Sequence, residues 1–469
     1  MKSKCQVFTP PDYVEKLLDS VDYLNDLYGK RILENSCGNG NILVKVVQRY
    51  IRDCKNKGFS KTQIKKGLAK DIVGFEIDIE QYNKCIENLN GILDNEEIPR
   101  ITWRIFNVDF LRNEDIEKYD YIVGNPPYIT YNEINKDDQI FLKESFLSCQ
   151  KGKFDYCYAF IEKSISLLSD NGKMSYLIPS SIFKTVCGSE LRNIINPYLY
   201  AIKDYAQEKV FDSACVKSAI IVLHKNNNEQ LFFYNNGLGK TIKIEKQMLG
   251  DKWFFQKMKK KEKRFGNYFK VSNVVATLLN EAFVLKDYKQ DKNGNYIIGN
   301  TMIECGIVRD TATPRTFRTG KKEKIIFPYY YSDNNKLMRF EEKEIKRKYP
   351  EAYKYLSSNK TRLIKRDSDD NIKWFEYGRC QALTSINCEK CLLPRVVSSE
   401  IKIYRLSKEC IPYAGLFIVP KEDNKEYSLE DAITILEAIE FKNYVECVGT
   451  HINGNSLRIT SKDVENYTF

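Results

Sequence analysis

Between residues 30 and 225, short apolar runs alternate with stretches of helical spacing. RILENS, DIVGFEI, RIFNVDF, YDYIVGN, GKMSYLIP, AIKDYAQ and SAIIVLHK read as strands, and YAFIEKSISLLSD reads as a helix. That rhythm predicts a doubly wound, Rossmann-like α/β sheet. Such sheets bind ligands beyond the carboxyl ends of their strands, and the unusual residues of this chain fall there: SCGNGN after the first strand, Glu76 on the second, Asp109 after the third and NPPY after the fourth. The stretch KNKGFSKTQIKKGLAK, between the first two strands, reads as a basic insertion.

The texture changes at the polar run KNNNEQ (225–230) and the basic run KMKKKEKR (257–264), and we place the domain boundary at 245/246. Residues 246–469 are irregular and rich in Tyr, Lys and Arg. Strands are expected at KEKIIFPYYY and AGLFIVP and a helix at LEDAITILEAIEF, which makes this a mixed α/β domain of ordinary size.

Composition narrows the partners. The 469 residues carry 74 Lys and Arg against 63 Asp and Glu, a formal charge of +11, which draws a polyanion if the excess is concentrated on one surface. The N-terminus has no apolar signal region, and no run of about 18 apolar residues offers a membrane span, so a cytoplasmic chain with no membrane partner is expected. Fourteen cysteines lack the spacing of a disulfide scaffold and read as buried thiols. Cys388-x-x-Cys391 is half of a zinc motif, but His224 and His451 are remote in sequence, and we expect no metal.

The strongest chemical signal is Gly124-Asn125-Pro126-Pro127-Tyr128 after the apolar strand YDYIV. An amino group conjugated to an aromatic ring is a poor nucleophile because its lone pair is delocalised. Two acceptors, the Asn125 side-chain oxygen and the Pro126 carbonyl, can take both its hydrogens and favour a tetrahedral nitrogen. The prolines stiffen the loop that aims them. Tyr128 offers a flat face for a planar substrate.

Glu34-Asn35-Ser36-Cys37-Gly38-Asn39-Gly40, between the first strand and an apolar helix, permits a tight turn and close approach of a ligand to the backbone. It departs from the dinucleotide fingerprint, since Leu43 stands where the third glycine belongs and Glu76 lies well beyond the usual spacing. Glu76 suits ribose hydroxyls. Asp109-Phe110 suits an adenine, the acid accepting from the amino group and the ring covering the base.

Taken together these motifs resemble the TaqI-like, gamma-class group of adenine-N6 DNA methyltransferases of restriction-modification systems. The segment Val7-Phe8-Thr9-Pro10-Pro11 resembles the one that closes over the cofactor there. Phe154-Asp155-Tyr156, Gly172 and Ile178-Pro179 match later motifs. The resemblance implies a class I methyltransferase fold and S-adenosylmethionine as cofactor, bound by Thr9, Glu34, Cys37, Gly38, Glu76, Ile77, Asp109, Phe110 and Asn125. It implies catalysis by Asn125, Pro126, Pro127 and Tyr128. In Val210-Phe211-Asp212-Ser213 the aromatic is similar to the residue that packs on the far face of a flipped adenine, which would sandwich the base between Tyr128 and Phe211. Asn35 stands where a proline is common in the group.

Residues 1–245 are thereby expected to be catalytic and 246–469 a target-recognition domain contacting double-stranded DNA. Lys373-Trp374-Phe375-Glu376-Tyr377-Gly378-Arg379 is similar to a Trp-x-x-Tyr-Gly-Arg segment of these enzymes; Trp374, Tyr377 and Arg379, with Arg309, Arg315 and Arg318, are the candidate DNA contacts. A target adenine must leave the duplex to be reached, and direct transfer needs no covalent enzyme intermediate. The start of the chain close to the cofactor motif leads us to expect methylation without cleavage, the recognition domain of its own leads us to expect no specificity subunit, and the resemblance implies a separate cognate endonuclease as a genetic partner. Cytosine-N4 methylation uses the same acceptor pair, though Ser is commoner than Asn there. RNA adenine and protein glutamine methylation, and a catalytically dead DNA-binding chain, are the remaining alternatives.

Overall fold

The structure is a computed structural model that describes residues 8–114, 117–205, 208, 210–211, 217–237, 239–255, 261–398, 400–452 and 456–469. Val7, Asp212 and Ser213 of the quoted motifs and residues 257–260 of the basic run lie outside the described residues. The chain separates into two compact units, Met1–Phe255 and Gln256–Phe469. The division falls ten residues beyond 245/246 because Trp253 and Phe255 belong to the first unit's core, where both pack on Phe183.

In the first unit, α1 (Pro11–Ser20) precedes β1 (Ile32–Glu34), α2 (Asn41–Asn56), α3 (Lys61–Asp71), β2 (Ile72–Phe75), α4 (Ile79–Asn95), β3 (Arg104–Phe106) and β4 (Tyr119–Gly124). There follow α5 (Lys136–Ser145), α6 (Cys157–Leu167), β5 (Leu168–Pro179), α7 (Ser189–Ile195), β6 (Leu199–Asp204), β7 (Ser218–His224), β8 (Leu231–Asn235) and β9 (Thr241–Glu245). The strands form one sheet in the order β3-β2-β1-β4-β5-β7-β6-β8-β9. It is parallel from β3 to β5, and β7 runs antiparallel to both β5 and β6. This is the doubly wound, Rossmann-like sheet that the strand pattern predicted, extended by the β8–β9 hairpin.

Why the strands read as continuous apolar runs is clear from their two faces. Leu33, Val73 and Ile122 enter one core with Phe154, Phe160 and Met174, whereas Ile32, Ile72 and Val123 enter the other with Leu43, Val46 and Leu89. Successive residues alternate faces, so a strand covered on both sides needs apolar residues throughout. The basic insertion folds as α3, started by a reciprocal capping box between Ser60 and Gln63.

The second unit is a mixture of short antiparallel sheets and helices. Phe269–Asn273, Leu416–Pro420, Lys390–Leu393 and Tyr404–Leu406 form a four-stranded sheet in that order. Two expected elements are broken. KEKIIFPYYY splits into Glu323–Ile326 and Tyr329–Tyr331 around Pro328, which lacks an N–H for the ladder. The expected helix at LEDAITILEAIEF is two, Leu429–Glu437 and Ile439–Val448, because Ala438 is extended (ψ 150°). Among the described residues no helix is long and apolar enough to cross a membrane.

Candidate cofactor and target-base site

The site is assembled from the loops that follow β1, β2, β3 and β4 at one edge of the parallel half of the sheet. After β1 the chain turns through Gly38 (φ 53°) and Gly40 (φ 88°) into α2. At Gly40 a Cβ would lie 2.8 Å from the Cys85 sulfur and 3.4 Å from the Cys85 Cα, so α4 leaves room for hydrogen alone. Gly40→Ala therefore combines a left-handed backbone with a clash against another helix. A loss of about 2 kcal/mol is expected, read as a lower denaturant midpoint at unchanged slope.

Glu76, just past β2, ties this turn down. Its Oε2 accepts from the Gly38 N–H at 2.7 Å and its Oε1 from the Asp78 N–H at 2.8 Å. Burial raises its pKa above the ordinary carboxylate value, partly offset by the Asp78, Gly38 and Ile77 N–H groups. A carboxylate offers about four acceptor positions, so these N–H groups do not exhaust it. Beside it lies an exposed apolar ledge of Ile77 (61% exposed), Phe106 (38%) and Val108 (47%). Phe8 lies over Gly38 and Thr9 is buried, its carbonyl accepting from Asn41 at 3.4 Å.

Glu34 is buried at the end of β1, and its Oε2 has no partner. Burial, with Cys85 and Glu76 nearby, pushes its pKa well up, and the Leu43 N–H offsets this in part. A buried carboxyl in that condition is suited to a cationic group, which would restore its charge. The Cys37 N–H donates to the Phe75 carbonyl at 2.9 Å, its carbonyl accepts from Gly40, and its buried thiol faces Cys85, contacts that shape the loop after β1.

After β3, the Asp109 Oδ1 accepts from the Leu111 N–H at 2.9 Å, and Arg112 approaches its Oδ2 at 3.5 Å. Phe110 is buried between Phe75 and Phe160, 5.4 and 5.6 Å away between ring centroids. This turn is clamped by Lys163 of α6, whose ammonium donates to the carbonyls of Phe110, Leu111 and Asn113.

The Asn125–Tyr128 loop leaves β4 with Pro126 buried and Asn125, Pro127 and Tyr128 half-buried. Ser36 donates to the Asn125 carbonyl at 3.3 Å, which joins this loop to the one after β1. Burial holds the Tyr128 hydroxyl well above its ordinary pKa, keeping it neutral. Tyr128 and Phe211 are neighbours, but not as the expected sandwich. Their rings meet edge to face, 6.1 Å between centroids and 73° between planes. Phe211 is buried with the apolar face around it, and the two rings bury each other's edges; one must turn before a base fits between them.

Asp155, in the Phe-Asp-Tyr segment ahead of α6, has its pKa raised from 3.8 to about 6, by burial and then by the Glu133 carboxylate. A carboxyl with a raised folded-state pKa destabilises the fold increasingly as pH rises from about 4 to 6 and fully above that. Asp155→Asn is thus expected to raise thermal stability at pH 7.5, by up to roughly 2–3 kcal/mol, and to leave it unchanged at pH 3.5. Melting curves at the two pH values check this.

Sequence reasoning missed Ser36, Asn107 and Lys163. Asn107 donates to the carbonyls of Glu76 (2.8 Å) and Ile77 (3.1 Å), fixing the turn that presents them. The one signal available was a lysine inside the largely buried α6.

In the second unit the candidate DNA contacts divide. Arg315 and Arg318 are exposed on the short helix Pro314–Thr319 and, with Arg379, line a cleft of about 1650 Å³. Arg379 is paired with Asp369 and Asp367, and Arg309 with Glu409 at 3.1 Å. Trp374 donates to Glu342 at 3.0 Å and is half-buried. Tyr377 has no exposure at all; its hydroxyl donates to the Ile326 carbonyl at 2.8 Å. Tyr377 is a core residue, which corrects its expected place as a DNA contact. Cys388 and Cys391 direct their thiols to different carbonyls, those of Ser385 and Leu429. Among the described residues no three His, Cys, Asp or Glu side chains gather as a metal site would need.

Residues 20–211 match the family described as Eco57I restriction-modification methylase. The chain is 26% identical, over 94% of its length, to the type II restriction enzyme and methyltransferase RM.Eco57I of Escherichia coli, and covers 54% of that protein. It is 28% identical to the type II methyltransferase M.BstVI of Geobacillus stearothermophilus over 47% of this chain and 42% of the relative. The chain thus spans about half the length of the curated relatives it matches. The structure of the type IIL restriction-modification enzyme MmeI in complex with DNA shares its fold over 97% of this chain and 64% of that one, at a TM-score of 0.62 and 13% identity.

Proposed function

From the match of residues 20–211 to the Eco57I restriction-modification methylase family, we propose that the chain is an S-adenosylmethionine-dependent DNA methyltransferase acting on N6 of an adenine extruded from the duplex. The observation that carries this reading is the junction of two loops: the Asn125–Pro126 acceptor pair is held by Ser36 to the glycine turn that Glu76 braces. A ligand in that turn and an amino group on that pair are brought to one place.

The residues fit the cofactor. Glu34 offers a buried, unpartnered carboxylate oxygen for an ammonium, Glu76 has acceptor positions left for ribose hydroxyls, and Ile77, Phe106 and Val108 offer a ledge for a purine. Phe110, buried as it is, supports that ledge through Phe75, while Asp109 keeps lone pairs for an amino group. When bound, S-adenosylmethionine supplies an electrophilic methyl on a positively charged sulfur. The chain's own work is to accept the two N6 hydrogens at Asn125 Oδ1 and the Pro126 carbonyl, to hold the base against Tyr128, and to exclude water with the apolar wall around Phe211. The second unit is read as the target-recognition domain, with Arg315 and Arg318 foremost for DNA. A restriction-modification role implies the cytoplasm and a cognate endonuclease.

The test is to express the chain and Asn125→Ala in methylation-free cells and map modified bases by single-molecule sequencing. N6-methyladenine at one recurrent motif, absent with the variant, supports the reading. N4-methylcytosine at the motif would favour the cytosine alternative. A folded, cofactor-binding protein that leaves DNA unmodified would overturn it in favour of RNA or protein substrates.

A further inference from the structure

The cleft in the second unit is lined by the basic side chains Lys270, Arg315, Arg318, Arg379, Arg395 and Lys402, against the single carboxylate Glu400. Of these only Arg379 is ion-paired among the described residues. Ordinary surfaces intersperse acids with bases, so a concave wall of unpaired cations suits a polyanion. The same wall carries an apolar side chain that is only partly packed, lying over Gly378 with its other side open to the cleft. Leu278 is 42% exposed, and its backbone sits at φ 57°, a left-handed conformation that costs a leucine on the order of 1–2 kcal/mol.

The conformation is enforced from both sides. The Thr277 hydroxyl accepts from the Leu279 N–H at 3.1 Å, and the Thr277 carbonyl accepts from the Gly378 N–H at 3.3 Å and from Arg366. The Arg379 N–H pairs with the Ala276 carbonyl at 3.0 Å. Gly378 is glycine because a Cβ there would lie 2.5 Å from the Leu278 Cδ1. Contacts from Arg366 and from Gly378 and Arg379 to the Ala276–Leu279 segment thus hold an exposed leucine in a strained pose at the wall of a cationic cleft. Strain persists where the surroundings over-determine it, and its concentration on an exposed residue points to a task outside the fold.

We propose that Leu278 is a wedge that inserts between stacked bases of the duplex held in this cleft. This rests on the reading of the chain as a DNA methyltransferase. The cations would bind phosphates without regard to sequence, while the leucine would replace part of the lost base stacking with apolar contact and bend the duplex onto the protein surface.

The experiment uses the whole chain and a duplex carrying the recurrent methylated motif, with 2-aminopurine placed at each position in turn, because its fluorescence rises when it unstacks. Wild-type protein is expected to raise fluorescence at a base step other than the target base. Leu278→Gly is expected to abolish that signal and lower kcat/KM about 10- to 100-fold, with Tm unchanged or raised because glycine relieves the strain. Leu278→Met is expected to restore both. If wild type methylates the duplex with no signal outside the target base, or Leu278→Gly matches wild type, the wedge is overturned while the DNA reading stands. An activity loss that comes only with a fall in Tm makes Leu278 a packing residue and also overturns it. Wild-type protein that neither binds nor modifies duplex DNA removes the parent reading itself.

Discussion

Asn125→Ala is expected to lower kcat about 10²- to 10³-fold while changing the affinity for S-adenosylmethionine far less, in a protein whose melting temperature is unaltered. The size follows from what a positioned hydrogen-bonding group contributes when it acts on charge that develops only in the transition state. The adenine amino nitrogen is planar in the ground state and pyramidal as it attacks, so an acceptor at Asn125 Oδ1 interacts best with the hydrogens of the reacting geometry. That makes the loss a kcat effect rather than a KM effect. Asn125 is half-buried on a loop whose Pro126 is buried and whose backbone Ser36 braces, so truncating its side chain leaves the support intact. Asn125→Asp keeps an acceptor at the same position and should retain more activity than alanine. Single-turnover methylation with saturating cofactor, alongside calorimetric binding of the cofactor, separates the two quantities. An alanine variant within threefold of wild type in single turnover would remove Asn125 from the chemistry.

The sheet was legible because its strands are covered on both faces: Ile32 and Leu33 both have to be apolar, whichever core each enters. The candidate site residues stood out for a related reason, since Glu34, Glu76, Asp109 and Asn125 are polar where such runs end. What escaped is what depends on distance in space. Asn107 and Lys163 act by donating to backbone carbonyls of other segments, and no spacing announces a partner 30 to 50 residues away. Within the Trp374–Arg379 segment, Tyr377 misled in the opposite direction. An aromatic and basic string looks like a nucleic-acid contact, yet Tyr377 and Phe375 are core and Glu376, fully buried, pairs with Arg339. The helix read across Ala438 failed because apolar spacing continues through a residue whose backbone turns the chain. Nothing in the sequence marks Leu278, whose significance lies in a backbone angle and in the missing side chain of Gly378.

Glu76→Ala is expected to weaken S-adenosylmethionine binding about 100-fold and to make the remaining affinity less dependent on pH. Two losses combine. The acceptor positions left for ribose hydroxyls disappear, each hydrogen bond to a charged group contributing roughly 1.5–3 kcal/mol. The Gly38 and Asp78 N–H groups also lose their partner, so the turn that the cofactor must approach is no longer braced. The pH dependence follows from the direction of the Glu76 shift. Burial raises its pKa above the ordinary 4.5, so protonation sets in at a higher pH than for an exposed glutamate. A protonated carboxyl accepts fewer hydrogen bonds, and wild-type affinity should fall as pH is lowered toward that raised value and recover above it. Glu76→Ala lacks this group, so the pH dependence it keeps is that of the buried Glu34, and the difference between the two profiles is the share of Glu76. Calorimetric titrations of both proteins from pH 5 to 8 supply the comparison, with Glu76→Gln as a third case: its amide keeps one acceptor but turns a donor toward the backbone N–H groups, so it should be weak and follow the alanine profile. A wild-type profile of the same shape as the alanine variant's, or an alanine variant that binds within threefold of wild type, would mean that Glu76 braces the loop without touching the cofactor.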